Sequence, residues 1–173
     1  YFYHKCSFVS ESTFDGILNY LHHNGQVQLT SGHKEAGDSY KVTNLIDYSN
    51  TNNTWYWAYA DEDTNWIEFD FGSRKIDLSS YQIKSNPYGS GSIHPKKWKI
   101  RGSNDQNEWD TLDGQKNCSD LNGRNIIKHF ICKKPTHKHY RYIRFYQFEN
   151  WSSDCPKRLG FSRFELYGDI YKT

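Results

Sequence analysis

The sequence predicts an all-β fold of about eight short antiparallel strands, with one short helix near the N-terminus. Apolar and aromatic residues alternate with a period of two in eight separate segments, and each segment is followed by Gly, Pro, Asn or Asp. No helical pattern intervenes between these segments. This arrangement excludes βαβ units and favours an antiparallel sandwich or barrel.

The helix is predicted directly after Ser12. Residues 12–15 have the S-x-x-D form of a capping box, in which the Ser12 side chain caps the first turn. Apolar residues then follow at helical spacing, at Phe14, Ile17, Leu18 and Leu21. Because Asn24-Gly25 is a stop signal, the segment predicts one amphipathic helix of about ten residues.

Eight strand segments follow in order along the chain. They are residues 26–30, 66–71, 81–83, 98–100, 109–112, 126–132, 140–148 and 164–166. In the first, Val27 and Leu29 share one face, as the two-residue period of a strand requires. Segments 66–71 and 140–148 carry bulk on both faces, so we expect these two strands to lie in the centre of a sheet.

Composition narrows the function classes. The 173 residues correspond to one domain, and 22 basic against 20 acidic residues leave a net charge of +2 that does not favour a nucleic-acid partner. The longest apolar run is far shorter than the roughly 20 residues of a membrane-spanning helix, so we do not expect a membrane protein. Because the motifs G-x-S-x-G, H-E-x-x-H, G-x-G-x-x-G and the P-loop are absent, we predict a protein without catalytic activity and without a cofactor.

The cysteines and sequons leave the compartment open. Four cysteines, at positions 6, 118, 132 and 155, are too few and too scattered for a disulfide framework or a zinc ribbon. Cys118 and Cys132 flank a predicted turn, and whether they are bonded stays open. The three glycosylation sequons, at Asn52, Asn117 and Asn150, are close to the number expected by chance. Since the chain contains no methionine, even at position 1, we expect it to be part of a longer protein.

Five motifs occur in order within residues 26–170. They are L-I-D at 45–47 with T-W at 54–55, W-I-E-F-D-F-G at 66–72, W-K-I-R-G-S-N-D at 98–105 with Trp109, R-Y-I-R at 141–144, and E-L-Y-G at 165–168. Each motif alone is weak, but the ordered set resembles the discoidin domain, also called the coagulation factor V/VIII C-type domain. The resemblance implies an eight-stranded antiparallel jelly-roll β-sandwich of the galactose-binding-like kind.

The resemblance also implies a recognition function. Members of the family bind proteins, sugars or phospholipid head groups through loops at the ends of the sandwich. Residues 14–21, the predicted helix within a lead-in of residues 1–25, are similar to a lead-in of protist members. This similarity implies a cytoplasmic or cytoskeletal setting, although extracellular placement stays open. The first hypothesis is therefore a non-catalytic module, residues 26–170, that docks a protein partner in an adaptor or cytoskeletal assembly. The alternative is a carbohydrate-binding module using the same loops, and membrane binding is the weakest of the three.

Seven residues are candidates for contact with the ligand or partner. Residues 55–59 hold four large aromatics, which cannot all point inward from a strand, so some are expected at the surface as a stacking platform. In sugar-binding relatives the loops at this end carry an aromatic, a His and an Arg. The competing interpretation is core packing and a solvated loop. The candidates are Tyr56, Trp57, Tyr59, Tyr88, His94, Trp151 and Arg158.

A structural calcium ion is a further hypothesis. Some discoidin-like modules hold Ca²⁺ between the first loop and the Glu of the last strand, which implies Asp47 and Glu165 here. Residues 47–53 contain one carboxylate, with neutral Asn at positions 50, 52 and 53. Calcium prefers roughly six to eight oxygen ligands with several carboxylates, so an ion-free loop is the favoured interpretation.

Overall fold

The computed structural model describes residues 4–8, 13–33, 35–49, 54–59 and 65–172. These residues form one α-helix, α1 (Ile17–His22), and two short 3-10 helices, Asp38–Tyr40 and Val42–Ile46. They also form eleven strands: β1 (His4–Phe8), β2 (Gln28–Ser31), β3 (Tyr56–Ala58), β4 (Trp66–Asp70), β5 (Arg74–Lys84), β6 (Pro95–Ser103), β7 (Asp110–Gln115), β8 (Ile127–Ile131), β9 (Tyr142–Asn150), β10 (Leu159–Phe161) and β11 (Arg163–Lys172).

The strands form two main sheets and a small ribbon. One sheet has the order β1-β11-β5-β8, the other β2-β4-β9-β6-β7, and β3 pairs with β10. Every pair is antiparallel. The predicted all-β sandwich is confirmed, and each of the eight predicted segments overlaps one of the observed strands. As expected, β4 and β9 lie in the interior of the five-stranded sheet.

The core lies between the two main sheets. The Phe164 ring on β11 lies 5.2 Å from the ring of Phe69 on β4 and 5.8 Å from that of Phe145 on β9, measured between centroids. All three side chains are fully buried. Burying aromatic rings of this size removes a large apolar area from water. The period-two pattern places these rings on the inner face of each sheet, and their burial holds the two sheets together.

The helix differs from its prediction at the N-terminal end. It begins at Ile17 and spans six residues. Phe14 cannot be helical because its φ of 55° lies in the left-handed region. Ser12 and the start of the predicted capping box lie outside the described residues. The first turn is instead capped by the Glu165 carboxylate of β11, which accepts hydrogen bonds from the backbone N–H groups of Gly16, Leu18 and Asn19.

The described part of the lead-in packs on the four-stranded sheet. Ile17, Leu18 and Leu21 on α1 are fully buried, and β1 pairs with β11 from His4↔Lys172 to Phe8↔Gly168. The division into residues 1–25 and 26–170 stays a prediction. Among the described residues, no helix has the length and apolar character needed to cross a membrane.

The three cysteines whose side chains are described carry free thiols. Cys118, Cys132 and Cys155 are unbonded, so a Cys118–Cys132 disulfide does not form. Burial raises the pKa of the Cys132 thiol to about 12. Because the thiolate is the reactive form, this cysteine is protected from oxidation and exchange at neutral pH.

Candidate functional site

The strand β3 presents an aromatic surface at one end of the sandwich. Successive side chains of a strand point to opposite sides, so Trp55, Trp57 and Tyr59 share the outer side. The Trp55 and Trp57 rings are stacked, with centroids 6.2 Å apart, and Tyr59 lies edge-on to Trp57 at 5.0 Å. Two residues from other segments complete this aromatic cluster: Tyr40, 5.6 Å from both Trp rings, and Tyr88, 5.6 Å from Trp55.

A glycine allows this surface to form. Gly160 on β10 pairs directly with Trp57 on β3. A Cβ atom at position 160 would lie 2.8 Å from the Trp57 Cβ and 2.9 Å from the Trp55 ring. Separations below about 3 Å do not occur in packed interiors, so any larger residue here would displace the two indoles.

Arg158 faces the aromatic cluster from the loop between β9 and β10. Its guanidinium carbon lies 5.2 Å from the centroid of the Trp57 ring and 4.9 Å from that of Tyr59, within the range of cation–π attraction. The side-chain amide of Asn150 donates to the Cys155 and Arg158 carbonyls at 2.8 Å each. These bonds fold the loop back on itself, so that the Arg158 side chain is held over the rings.

The aromatic cluster and the loop between β9 and β10 border a solvent-open cavity of about 320 Å³, called the aromatic cavity below. Asp154 on the loop supplies a carboxylate, and Ser92 and Ser152 supply hydroxyl groups. The cavity therefore combines ring faces with a fixed cation, an anion and neutral hydrogen-bonding groups. Its lining consists of Tyr40, Trp55, Trp57, Tyr88, Ser92, Ile93, Ser152, Asp154, Cys155 and Arg158.

His94 does not reach the cavity, in contrast to its prediction. The side chain is fully buried, and its Nε2–H donates to the carbonyls of Tyr88 and Gly89 at 3.0 and 2.9 Å. Burial lowers the pKa of His94, so the ring is neutral at physiological pH. Its role is to hold the loop that carries Tyr88, whose side chain is 56% exposed.

Tyr56 and Trp151 also lie away from the cavity. Tyr56 points into the core with no exposed surface, and its hydroxyl lies 2.5 Å from that of Ser31. Trp151 packs beside the loop, where its Nε1–H donates to the Cys118 carbonyl at 2.8 Å and the Lys96 ammonium lies 4.6 Å from the ring centroid. Tyr56 was predicted as surface because its segment is uniformly aromatic, and only the strand register shows which side is buried.

Of the seven predicted residues, the structure brings four together: Trp57 on β3, Tyr59 just after that strand, and Tyr88 and Arg158 on loops. Sequence reasoning missed Tyr40 and Asp154, which belong to no recognisable motif. Trp55 is not among the seven candidates and is only 8% exposed, yet it lines the cavity.

The calcium hypothesis does not fit the residues present. Glu165 is fully buried, and its two oxygens accept four backbone N–H bonds, from Gly16, Leu18, Asn19 and Leu166. The carboxylate lone pairs are thereby engaged, whereas a calcium ligand must direct them at the ion. Asp47 accepts a hydrogen bond from the Ser49 hydroxyl at 2.8 Å. Asn50 and Asn52 lie outside the described residues, and the described part of the chain contains no group of three or more His, Cys, Asp or Glu suited to a metal.

The family can be assigned from the sequence match. Residues 28–161 match the model of the F5/8 type C domain. The chain belongs to this family. The resemblance drawn from the five motifs is thereby confirmed, and no curated protein matches the chain significantly.

Three solved structures with the same fold come from bacterial proteins. One is a family 89 glycoside hydrolase from Clostridium perfringens in complex with PUGNAc, with a TM-score of 0.56 and 19% identity over 82% of this chain. A second is CpGH89CBM32-5 from the same organism, in complex with GalNAc-β-1,3-galactose, with a TM-score of 0.59 and 14% identity over 83% of this chain and 96% of its own. A third is a fragment of a chitobiase-like protein from Bacteroides thetaiotaomicron, with a TM-score of 0.61 and 15% identity over 93% of this chain and 96% of its own.

These similarities establish a shared fold for the F5/8 type C domain. The chain spans only about 14% of the length of the family 89 glycoside hydrolase, so it corresponds to one module of that protein. At 14–19% identity the side chains of the loops are not expected to be shared. A shared fold does not determine function, so the function of the aromatic cavity depends on its own residues.

Proposed function

We propose that this F5/8 type C domain is a non-catalytic carbohydrate-binding module, and that the aromatic cavity is its binding site. The observation that carries the proposal is the position of Arg158 against the exposed faces of Trp57 and Tyr59. A cavity of about 320 Å³ lies at the small end of the roughly 300–1,000 Å³ found for ligand sites. That volume suits one or two sugar units.

Each part of the cavity matches one part of a sugar. The C–H face of a pyranose is apolar and packs on an indole or phenol ring. Its hydroxyl groups both donate and accept hydrogen bonds. The Arg158 guanidinium is a donor only, and the Asp154 carboxylate is an acceptor only. A ring wall with an Arg and an Asp at its edge therefore binds a polyol without any group positioned to break a bond.

The solved relatives support this proposal over protein docking. CpGH89CBM32-5, which shares the fold over 83% of this chain, is in complex with a galactose-containing disaccharide. Docking of an intracellular protein, which the sequence analysis put first, gains no support from the relatives named here. It stays a prediction, as does the cytoplasmic or cytoskeletal setting.

A glycan array with the purified protein tests the proposal. We expect the wild type to bind a subset of glycans, and Trp57→Ala and Arg158→Ala to weaken that binding. A lost ring contact or charge-assisted hydrogen bond costs about 1–2 kcal/mol, or roughly a five- to thirty-fold loss in affinity. Titration calorimetry with the strongest hit measures this loss.

Tyr20→Ala is the matched control. Tyr20 is 50% exposed on α1 and does not line the cavity, so this variant should bind as the wild type does. Absence of wild-type binding to every glycan, or binding that survives both cavity variants, would refute the proposal. A protein captured specifically through Trp57 and Arg158 in the absence of glycan binding would favour docking instead.

A further inference from the structure

A row of three cations lies on the outer face of the five-stranded sheet. On β6, Trp98 and Ile100 point into the core, so Lys97, Lys99 and Arg101 alternate with them and point outward. Residues two apart on a strand are separated by roughly 6.5–7 Å, so the row extends over about 13 Å. This row is called the cationic ladder below.

The ladder surrounds one exposed aromatic ring on the neighbouring strand β9. Phe148 is 45% exposed. The Lys97 and Lys99 ammonium groups lie 5.6 and 5.7 Å from its centroid, and the Arg101 guanidinium carbon lies 5.9 Å away. No described carboxylate forms an ion pair with any of the three cations. The ladder is therefore an uncompensated positive charge beside an apolar ring.

Two carboxylates among the described residues on or beside this face are already paired. Glu68 pairs with Arg144 at 2.9 Å, and Arg144 is held between the rings of Trp66 and Trp109, at 3.8 and 4.4 Å. Glu149 pairs with Lys96 at 3.9 Å. A negatively charged ligand on the ladder would consequently meet paired rather than free carboxylates at Glu68 and Glu149.

A second cavity, of about 620 Å³, opens at the Lys97 end of the ladder. Lys97, Phe148 and Lys157 contribute to its lining, together with Asn65, Gln147 and the Glu149 carboxylate, which is paired with Lys96. The Asn65 Oδ1 and Gln147 Oε1 atoms are buried and accept no hydrogen bond from the described residues. A buried acceptor without a donor is rare and costs free energy. A ligand rich in O–H groups would be stabilised here if small movements of the wall let it donate to these two oxygens.

We infer that the cationic ladder and this second cavity form a binding surface for an acidic polysaccharide, separate from the aromatic cavity. Three unpaired cations call for anionic groups, the unsatisfied amides call for hydroxyl donors, and Phe148 offers a face for a sugar ring. An acidic sugar polymer carries all three features in every repeat. A lipid surface supplies anions but few hydroxyl donors, and membrane insertion needs a larger apolar surface than the one exposed phenyl ring described on this face.

The two surfaces are neighbours but use different residues. Cys155 and Arg158 line the aromatic cavity, whereas Pro156 and Lys157 of the same loop line the second cavity. The new inference therefore does not depend on the function proposed for the aromatic cavity.

Binding to immobilised polygalacturonate, measured by biolayer interferometry, tests the inference, with dextran as the neutral polymer. We expect the wild type to bind polygalacturonate and not dextran, and to bind more weakly as NaCl rises from about 0.05 to 0.5 M, because salt screens exposed charges. The triple variant Lys97→Glu, Lys99→Glu, Arg101→Glu should bind at least about tenfold more weakly, since three favourable contacts become repulsive. Phe148→Ala should weaken binding without any change in net charge.

The control variant carries the same change in net charge elsewhere. Lys75 on β5, Lys128 on β8 and Lys172 on β11 lie on the other sheet; Lys128 and Lys172 are exposed and Lys75 is half-buried. Their replacement by Glu should leave affinity within about twofold, because distant exposed charges are screened. Thermal unfolding confirms that each variant is folded.

Three results would overturn the inference. They are no wild-type binding to polygalacturonate at low salt, equal losses in the ladder and control variants, and stronger binding to phosphatidylserine vesicles than to polygalacturonate. Trp57→Ala separates the two surfaces, since it should weaken glycan binding in the aromatic cavity and leave polygalacturonate binding intact.

Discussion

At the level of single residues, Glu165 joins the helix to the last strand through one buried carboxylate. Its Oε1 accepts from the backbone N–H groups of Leu18 and Leu166 at 2.7 and 2.8 Å, and its Oε2 from those of Gly16 and Asn19 at 3.0 and 3.1 Å. Burial nevertheless raises the pKa of Glu165 to about 7, since desolvation of the charge outweighs the four hydrogen bonds.

The first prediction concerns the pH dependence of stability. The pKa of Glu165 is higher in the folded state than its ordinary value of 4.5, so its contribution to stability is full below pH 4.5 and lost as pH rises to about 7. We expect the wild type to lose on the order of 3 kcal/mol relative to Glu165→Gln across this range. Urea unfolding at pH 4.5 and pH 8 measures the change.

Glu149→Gln is the control for this experiment. Its side chain is 53% exposed, so its difference from the wild type should vary much less with pH. If the advantage of the wild type over Glu165→Gln grew as pH rose, the four N–H donors would outweigh burial, and the direction assigned here would be wrong.

At the level of elements, the pairing of β11 with β5 contains a β-bulge. The register shifts between Tyr167, which pairs with Ser80, and Gly168, which pairs with Leu78. Gly168 has a φ of 150°, and a Cβ atom there would lie 2.1 Å from the Asp77 carbonyl oxygen. Only glycine fits this bulge, which aligns both halves of the strand with its neighbours.

The second prediction is that Gly168→Ala destabilises the protein by at least about 2 kcal/mol, through backbone strain and contact with β5. Gly114→Ala on β7 is the matched control, because the nearest atoms to its Cβ position are 3.9 Å away. Its free energy of unfolding should change by less than about 0.5 kcal/mol. Similar values for the two variants in urea unfolding would contradict the assigned role of the bulge.

The sequence predicts the longer strands well and the short ones poorly. β4 and β9 have enough alternating residues for the period to be recognised. β3 and β10 have three residues each, and β10 contains Gly160, so no period can be detected. β3 contributes Trp57 to the wall of the aromatic cavity, and β10 pairs with β3, which is why the candidate site was only half predicted.

At the level of the whole molecule, the N-terminal segment completes the sandwich. Strand β1 covers one edge of β11, and α1 buries Ile17, Leu18 and Leu21 against the rest of the core. Without α1, Glu165 would lose three of its four hydrogen-bond donors. An exposed strand edge is also a site for unwanted pairing between molecules.

The third prediction is that a chain shortened to residues 26–170 is several kcal/mol less stable than the whole chain and prone to aggregation. Removing one fully buried Leu or Ile side chain costs roughly 2–5 kcal/mol, and a whole domain is stable by only about 5–15 kcal/mol. Urea unfolding and light scattering measure both effects. A chain of residues 13–173, which keeps α1 and lacks β1, should lie between the two, whereas unchanged stability on removing both would show that the lead-in is dispensable.

The amino-acid pattern alone was sufficient for the all-β class and the two central strands, because alternation with a period of two is a local property. The family was recognised separately, through the resemblance of the five ordered motifs. The pattern could not show that Tyr56 faces the core while Trp57 faces the cavity, or that Glu165 caps a helix about 150 residues away in the chain. Nor could it show that Lys97, Lys99 and Arg101 surround one phenyl ring on another strand. These features depend on which segments meet in space, and distant segments meet only when the whole core has packed.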